Sequence, residues 1–134
     1  MREILVIDAQ GGGLGKQIIT AIKKRYPDIV ITAVGTNSAA TANMRRAGAD
    51  HAATGENAVI VCSRKAELII CPIGVVIADA MYGEITPAMA AAVGQSPAKR
   101  LLIPMNQCDN IIVGTSSLSV GGAIESILEY LGHC

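Results

Sequence analysis

The chain has 134 residues, 51% of them hydrophobic, and its 11 Lys and Arg residues balance its 11 Asp and Glu. That length suits one domain, residues 1–134, large enough to bury a core. Zero formal charge excludes the electrostatic footprint of a nucleic-acid-binding protein, and a chain with three Tyr but no Phe or Trp has little to stack on bases. The longest apolar stretch, residues 68–78, contains Pro72 and Gly74 and is too short to span a bilayer. Met1-Arg2-Glu3 leads directly into an apolar run rather than a signal segment, so a cytoplasmic location is expected.

In chain order, Ile4-Leu5-Val6-Ile7 predicts a first strand ending on Asp8. A glycine-rich turn then opens onto a helix marked by Ile18, Ile19 and Ile22, with Tyr26 on it. Residues 29–34 are β-branched and stop at Gly35, a second strand. Asn37 or Ser38 can cap a helix over residues 39–47, ended by Gly48. Residues 50–53 predict a short third strand, and Thr54-Gly55-Glu56-Asn57 starts a helix reaching about Arg64. Residues 67–71 form the fourth strand, closed by Pro72 and Gly74. Residues 75–82, bracketed by Gly74 and Gly83, are read as helix. Thr86-Pro87 begins another helix with proline in its first turn. Residues 101–104 and 111–113 predict two late strands, the latter joined through residues 106–110 as a possible antiparallel edge. Residues 119–131 form the last helix, with Ile124, Ile127, Leu128 and Leu131 on one face.

Strands apolar throughout, alternating with helices, imply a mostly parallel sheet covered on both faces: a Rossmann-like three-layer α/β/α sandwich. In such sheets ligands sit at the carboxyl ends of the strands. The special residues of this chain gather there. Asp8 and Gln10 follow strand one, Thr36 and Asn37 strand two, residues 54–57 strand three, Cys71, Pro72 and Gly74 strand four, and Asn106, Gln107 and Cys108 strand five.

The turn itself reads Gln10-Gly11-Gly12-Gly13-Leu14-Gly15-Lys16. A strand, a glycine turn and a helix start present unpaired N–H groups and a positive dipole end to an anion, most commonly a phosphate. The P-loop pattern is not met, because Gln17 follows Gly15-Lys16 where a metal-binding hydroxyl is needed. The dinucleotide pattern G-x-G-x-x-G is out of register. Gly13-Leu14-Gly15-Lys16-Gln17-Ile18 resembles the second half of the short-chain dehydrogenase turn G-x-x-x-G-x-G, with Ala9 at its first glycine. The competing reading is a tight turn without a ligand.

Thr36, Asn37 and Ser38 are uncharged where an NAD site usually carries an acid, and Arg45 and Arg46 follow on the next helix. If a dinucleotide binds, NADP is the expectation; otherwise Asn37 is only a helix cap. Asp50 is a candidate for the adenine-approaching aspartate that short-chain dehydrogenases place after strand three. His51 reads as a surface or packed residue.

Catalytic groups are hard to find. The Y-x-x-x-K pair of short-chain dehydrogenases is missing, since Thr86 lies four residues after Tyr82 and Cys134 four after Tyr130. Asp79 lies in an apolar segment and is read as lining the crevice rim. Cys62, Cys71, Cys108 and Cys134 form no C-x-x-C pair and read as reduced thiols, with Cys71 and Cys108 at strand ends.

Four early segments, Ile7-Asp8-Ala9-Gln10-Gly11-Gly12-Gly13-Leu14-Gly15-Lys16, Gly35-Thr36-Asn37-Ser38, Ala47-Gly48-Ala49-Asp50 and Thr54-Gly55-Glu56-Asn57-Ala58, combine with three later ones. These are Pro72-Ile73-Gly74, Gly83-Glu84-Ile85-Thr86-Pro87 and Ile103-Pro104-Met105-Asn106. Together they resemble the bacterial family catalogued as domain of unknown function 3842, up to about Gly114. The resemblance implies a small, single-domain cytoplasmic protein and brings no activity or catalytic residue with it. In the family pattern glycine stands where this chain has Ala9.

The sequence thus leads to a phosphate-bearing ligand, NADP-like or another nucleotide, at Asp8, Gln10, Gly11, Gly12, Gly13, Leu14, Gly15, Lys16, Thr36, Asn37, Asp50, Cys71, Pro72, Gly74 and Asn106, in a sensor or accessory role. Alternatives are a small oxidoreductase or transferase using Asp79, Cys71 or Asn106, and a ligand-free assembly module. A homodimer is expected, with no nucleic acid and no membrane.

Overall fold

The computed structural model describes residues 3–105 and 110–134. Five strands, β1 (Glu3–Asp8), β2 (Val30–Gly35), β3 (His51–Thr54), β4 (Leu68–Pro72) and β5 (Lys99–Ile103), form one sheet in the order β3-β2-β1-β4-β5. All four pairings are parallel. β1 leaves no polar edge: Ile4 and Val6 face one apolar layer, while Leu5 and Ile7 face the other. Such two-sided burial is why β1, β2 and β4 read as apolar runs, whereas the edge strands β3 and β5 are more exposed.

The first layer is closed by α1 (Gly13–Arg25), α2 (Ser38–Arg46) and α5 (Val120–Gly132), through Ile18, Ile19, Ile22, Met44, Ile127 and Leu131. The second is closed by α3 (Glu56–Lys65) and α4 (Pro87–Gly94), through Val59, Met89 and Val93. Each of these buried aliphatic side chains contributes about 1.5–3 kcal/mol relative to exposure. The helix starts follow their sequence signals. Asn37, Thr86 and Ser119 each accept an N–H of the first turn through their side chains, from Ala40, Met89 and Gly122. No helix among the described residues is long and apolar enough to cross a membrane.

The sheet register sets one functional edge. Asp8 lies level with Gly35, Gly35 with Thr54, and Pro72 with Ile103. The chain leaves β1 toward β2 on one side and returns to β4 on the other, so the strand order reverses between β1 and β4. That reversal opens a crevice at the carboxyl ends of these two strands.

Two expectations give way. Residues 75–82 are not a helix: a 3-10 turn at Ile73–Val76 is followed by a strap in which Asp79, Met81, Tyr82 and Gly83 all have positive φ. The strap closes on itself through Asp79 N–H to the Ile85 carbonyl and Ile85 N–H to the Ala80 carbonyl. On this path Met81 packs into the second core layer. Residues 111–113 also join no strand; Ile111 and Val113 are 80% and 91% exposed. β-branched composition favours a strand only where a neighbouring strand or a packed face receives it. The described sheet is parallel throughout; of the expected antiparallel edge, Asn106, Gln107, Cys108 and Asp109 lie outside the described residues, and Asn110 forms an isolated bridge.

Candidate functional site

Asp8 ends β1 and is only 5% exposed. Its Oδ1 accepts the Ala9 N–H at 2.8 Å and its Oδ2 the Gly15 N–H at 2.7 Å. Burial pushes the Asp8 carboxyl above its ordinary value; the two N–H groups oppose the shift and the nearby Glu84 charge adds to it.

The chain then turns sharply. Gln10 takes a left-handed φ of 52°, and Gly12 caps α1 with a φ of 73°. The glycines divide into two kinds. A Cβ on Gly12 would lie 2.7 Å from the Ala40 Cα, and one on Gly15 would lie 2.6 Å from the Met44 sulfur. These two let α1 pack against α2. Gly11 and Gly13 are different: neither has a positive φ, and a Cβ on either meets nothing within 4 Å. Neither conformation nor packing within the described residues requires glycine there.

Above the turn lies a cleft of about 180 Å³, lined by Asp8, Ala9, Gln10, Gly11, Gly12, Gly13, Leu14, Pro72, Met81 and Met105. Gly12 N–H is held by the Ala9 carbonyl and Gly15 N–H by Asp8. The N–H groups of Gly13 and Leu14, in the first turn of α1, face no carbonyl one turn back, the geometry that makes a helix start an anion site.

On the β2 side the crevice is occupied by Glu84, which the sequence did not single out. Its Oε1 accepts the Gln10 N–H at 2.7 Å, the Asn37 side-chain amide at 2.6 Å and the Thr36 hydroxyl. Partial burial alone would raise the Glu84 carboxyl; the Thr36, Gln10 and Asn37 donors outweigh it and hold it below the ordinary value. Asn37 is fully engaged, capping Ala40 through Oδ1 and donating to the Gln10 carbonyl as well as to Glu84.

Of the residues expected at the site, Asp8, Gln10, Gly11, Gly12, Gly13, Leu14 and Pro72 line the cleft, with Thr36 and Asn37 adjoining it through Glu84. Gly15 packs beneath the turn, and Lys16 is exposed and outside the lining. Gly74 is buried in the 3-10 turn, and Asn106 lies outside the described residues.

Asp50 is corrected. It precedes β3, so it lies at the amino edge of the sheet, opposite the cleft. There its carboxylate takes the Lys23 ammonium at 2.7 Å and the Ile31 N–H at 2.8 Å. The Lys23 bond first, and then the Ile31 N–H, hold it below its ordinary value. Cys71 is fully buried, and burial pushes its thiol up to about 12. Asp79 is exposed, on the strap. Arg45 and Arg46 occupy the last turn of α2, about 12 Å along the helix from Asn37; Arg46 donates to Asn43 Oδ1 at 2.8 Å, and the Asn43 amide donates to the Gly11 carbonyl at 2.6 Å.

Met81 and Glu84 had no local signature. A short Tyr82-Gly83-Glu84 turn behind an apolar run is the only hint of an acid carried over the strand ends.

The parallel order β3-β2-β1-β4-β5, with a glycine turn between β1 and α1, defines a Rossmann-like α/β protein. The chain belongs to the family described as Domain of unknown function (DUF3842), which matches residues 3–134. The match therefore includes α5, beyond the segments that carry the resemblance in the sequence. No curated protein sequence matches the chain.

Among solved structures, an apo, histidine-tagged saccharopine dehydrogenase (L-Glu forming) from Saccharomyces cerevisiae is similar over 95% of this chain, with a TM-score of 0.50 and 14% identity. The chain spans 24% of the length of that enzyme. The D-arabinose dehydrogenase from Sulfolobus solfataricus is similar over 97% of this chain and 44% of its own, with a TM-score of 0.49 and 16% identity. At 14% identity the likeness to the saccharopine dehydrogenase is one of fold.

Proposed function

We propose that this protein binds a phosphate-bearing ligand, a nucleotide, at the glycine turn after β1, in a sensor or accessory role. The observation that carries the reading is the open space above Gly11 and Gly13. Two glycines in the cleft lining that neither backbone conformation nor internal packing requires leave room for close approach of a ligand. The first-turn N–H groups of α1 supply the donors for its phosphate.

The cleft, at about 180 Å³, is smaller than the roughly 300–1,000 Å³ of common small-molecule pockets. It matches a phosphate and its immediate neighbours, with the rest of the ligand running toward Glu84 or across the strap. Asp8 is the one ionisable side chain among the lining residues, which supports binding over catalysis.

Thermal stability measured against NADP, NADPH, NAD, ATP, AMP and phosphate tests the reading. A ligand at a hundred times its dissociation constant adds ~2.7 kcal/mol. Gly13→Val should abolish the shift, because its side chain would fill the open space. A flat response to all six ligands, or undiminished binding by Gly13→Val, would overturn it.

A homodimer is part of the proposal. Among the described strands, β5 pairs with β4 alone. Between β5 and α5 runs a groove of about 340 Å³ lined by Leu102, Ile103, Leu118, Ile127 and Tyr130. Two copies related by a two-fold axis would cover both the strand edge and the groove. Sedimentation equilibrium tests this, and a monomer at all concentrations would refute it.

A further inference from the structure

We propose that Glu84 reads the ribose of the bound nucleotide, accepting from its free hydroxyls and excluding a phosphate at the 2′ position. The inference rests on the nucleotide reading of the glycine turn and narrows it to ligands of the AMP or NAD kind.

Dinucleotide-binding sheets of this order hold a ribose at the end of β2, where an acidic residue usually accepts from the sugar. β2 ends at Gly35 and is followed by Thr36, Asn37 and Ser38, so its own segment supplies no acid. The fold brings one from elsewhere. Glu84 reaches across from the strap beyond β4, 74 residues from Gln10 and 48 from Thr36. Its Oε1 is held by a backbone N–H of the glycine turn and by both side chains that follow β2.

This arrangement does two things. Oε1 is saturated, which fixes the carboxylate plane, while all the hydrogen bonds Glu84 accepts from the described residues go to Oε1. Glu84 is partly exposed, so Oε2 is available to an outside hydroxyl. Thr36 and Asn37, the donors that a 2′-phosphate would need, are already engaged by a negative charge. The groups that hold the Glu84 carboxylate are neutral donors, and Arg46 bonds instead to Asn43, whose amide holds the Gly11 carbonyl on the phosphate side of the turn. Gln10 joins the two parts, since its backbone carries the Glu84 contact and it also lines the phosphate cleft. A phosphate over Gly11 and Gly13 and a ribose beside Glu84 are therefore neighbouring positions along one turn.

The test uses three probes that share a 5′-phosphate: AMP, 2′-deoxy-AMP and adenosine 2′,5′-bisphosphate, titrated calorimetrically into the full chain. AMP should bind at least tenfold more tightly than either of the others. Glu84→Gln keeps an oxygen for the three donors but replaces the charged acceptor. It should weaken AMP about tenfold and bring the bisphosphate level with it. The comparison on the unaltered protein stands by itself if the variant does not fold.

Equal affinities for AMP and the bisphosphate would overturn the role of Glu84 while leaving the nucleotide reading intact. Tighter AMP binding by Glu84→Gln would also overturn it, because the carboxylate would then be filling the ribose position. No binding of any probe, with inorganic phosphate also inert, would sink both readings.

Discussion

The Asp8 carboxylate accepts the Gly15 N–H at 2.7 Å, so the anion already seated at the start of α1 is the protein's own. An incoming phosphate must share that helix end with a buried carboxylate whose proton affinity is raised by burial. A second negative charge nearby favours the protonated carboxyl further, so anion binding and proton uptake at Asp8 are linked. Sulfate is the suitable probe, because it keeps its charge through the acidic and neutral range. Its affinity should rise about tenfold as the pH falls to where Asp8 protonates, roughly one unit of pKa coupling. Asp8→Asn should bind sulfate more tightly at neutral pH and lose the pH dependence; parallel profiles for the two proteins would refute the linkage. Stability has the same sign. A carboxyl with a raised folded pKa contributes stability fully below its unfolded value, and that contribution is lost as the pH rises through the folded one.

Gly12 and Gly13 are adjacent but should respond oppositely to alanine. At Gly12 the new Cβ would meet the Ala40 backbone at 2.7 Å in a left-handed conformation, so Gly12→Ala should cost about 1–3 kcal/mol. At Gly13 the space is open and the backbone helical, so Gly13→Ala should stabilise by about 0.5–1 kcal/mol. The same methyl group should weaken nucleotide binding. Chemical denaturation and calorimetry on the pair check this; a destabilised Gly13→Ala with unchanged binding would show that both glycines serve only the fold.

The layered architecture was legible in the sequence because the buried strands leave continuous apolar runs and two helix starts, the Asn37 cap and Thr86-Pro87, are marked. The glycine turn was legible too, but not the division of labour within it: Gly12 and Gly13 differ only in what lies above them in space. Asp50 was misassigned by direction. A residue one position before a parallel strand lies at the amino edge, a whole strand length from the crevice. Glu84 was missed because its partners are 47 to 74 residues away, and the Tyr82-Gly83-Glu84 turn hints at an acid without naming them. The strap was misread because Gly74 and Gly83 bracket an apolar run equally well whether it coils or turns.

Within the strap, Tyr82 combines a φ of 60° with 94% exposure. Its side chain therefore offsets little of the about 1–2 kcal/mol that the left-handed conformation costs a non-glycine residue. Tyr82→Gly should stabilise the protein by about 0.5–1 kcal/mol after the entropy of the added glycine is counted. Met81 has a similar φ of 58° but is 7% exposed and packs in the second core layer. Met81→Ala should cost about 2–5 kcal/mol. Denaturant midpoints measure both. Equal effects would mean that the strap is held by its backbone bonds, rather than by the anchoring of Met81.

Cys71 stands at a strand end near the cleft, yet its thiol is fully buried and pushed up to about 12. The Asp8 charge reinforces the effect of burial, and Arg100 offsets it only in part. Reactivity toward alkylating reagents follows the thiolate fraction and access to it, and both are negligible for Cys71 at neutral pH. Cys134 is exposed at the end of α5, whereas Cys62 is half-buried with a thiol raised by burial. Brief iodoacetamide treatment of the native protein, followed by peptide mass spectrometry, should label Cys134 before Cys62 and leave Cys71 unmodified until the chain is denatured. Labelling of Cys71 in the native state would mean that β4 and the strap open in solution, and a catalytic thiol at this crevice would again have to be considered.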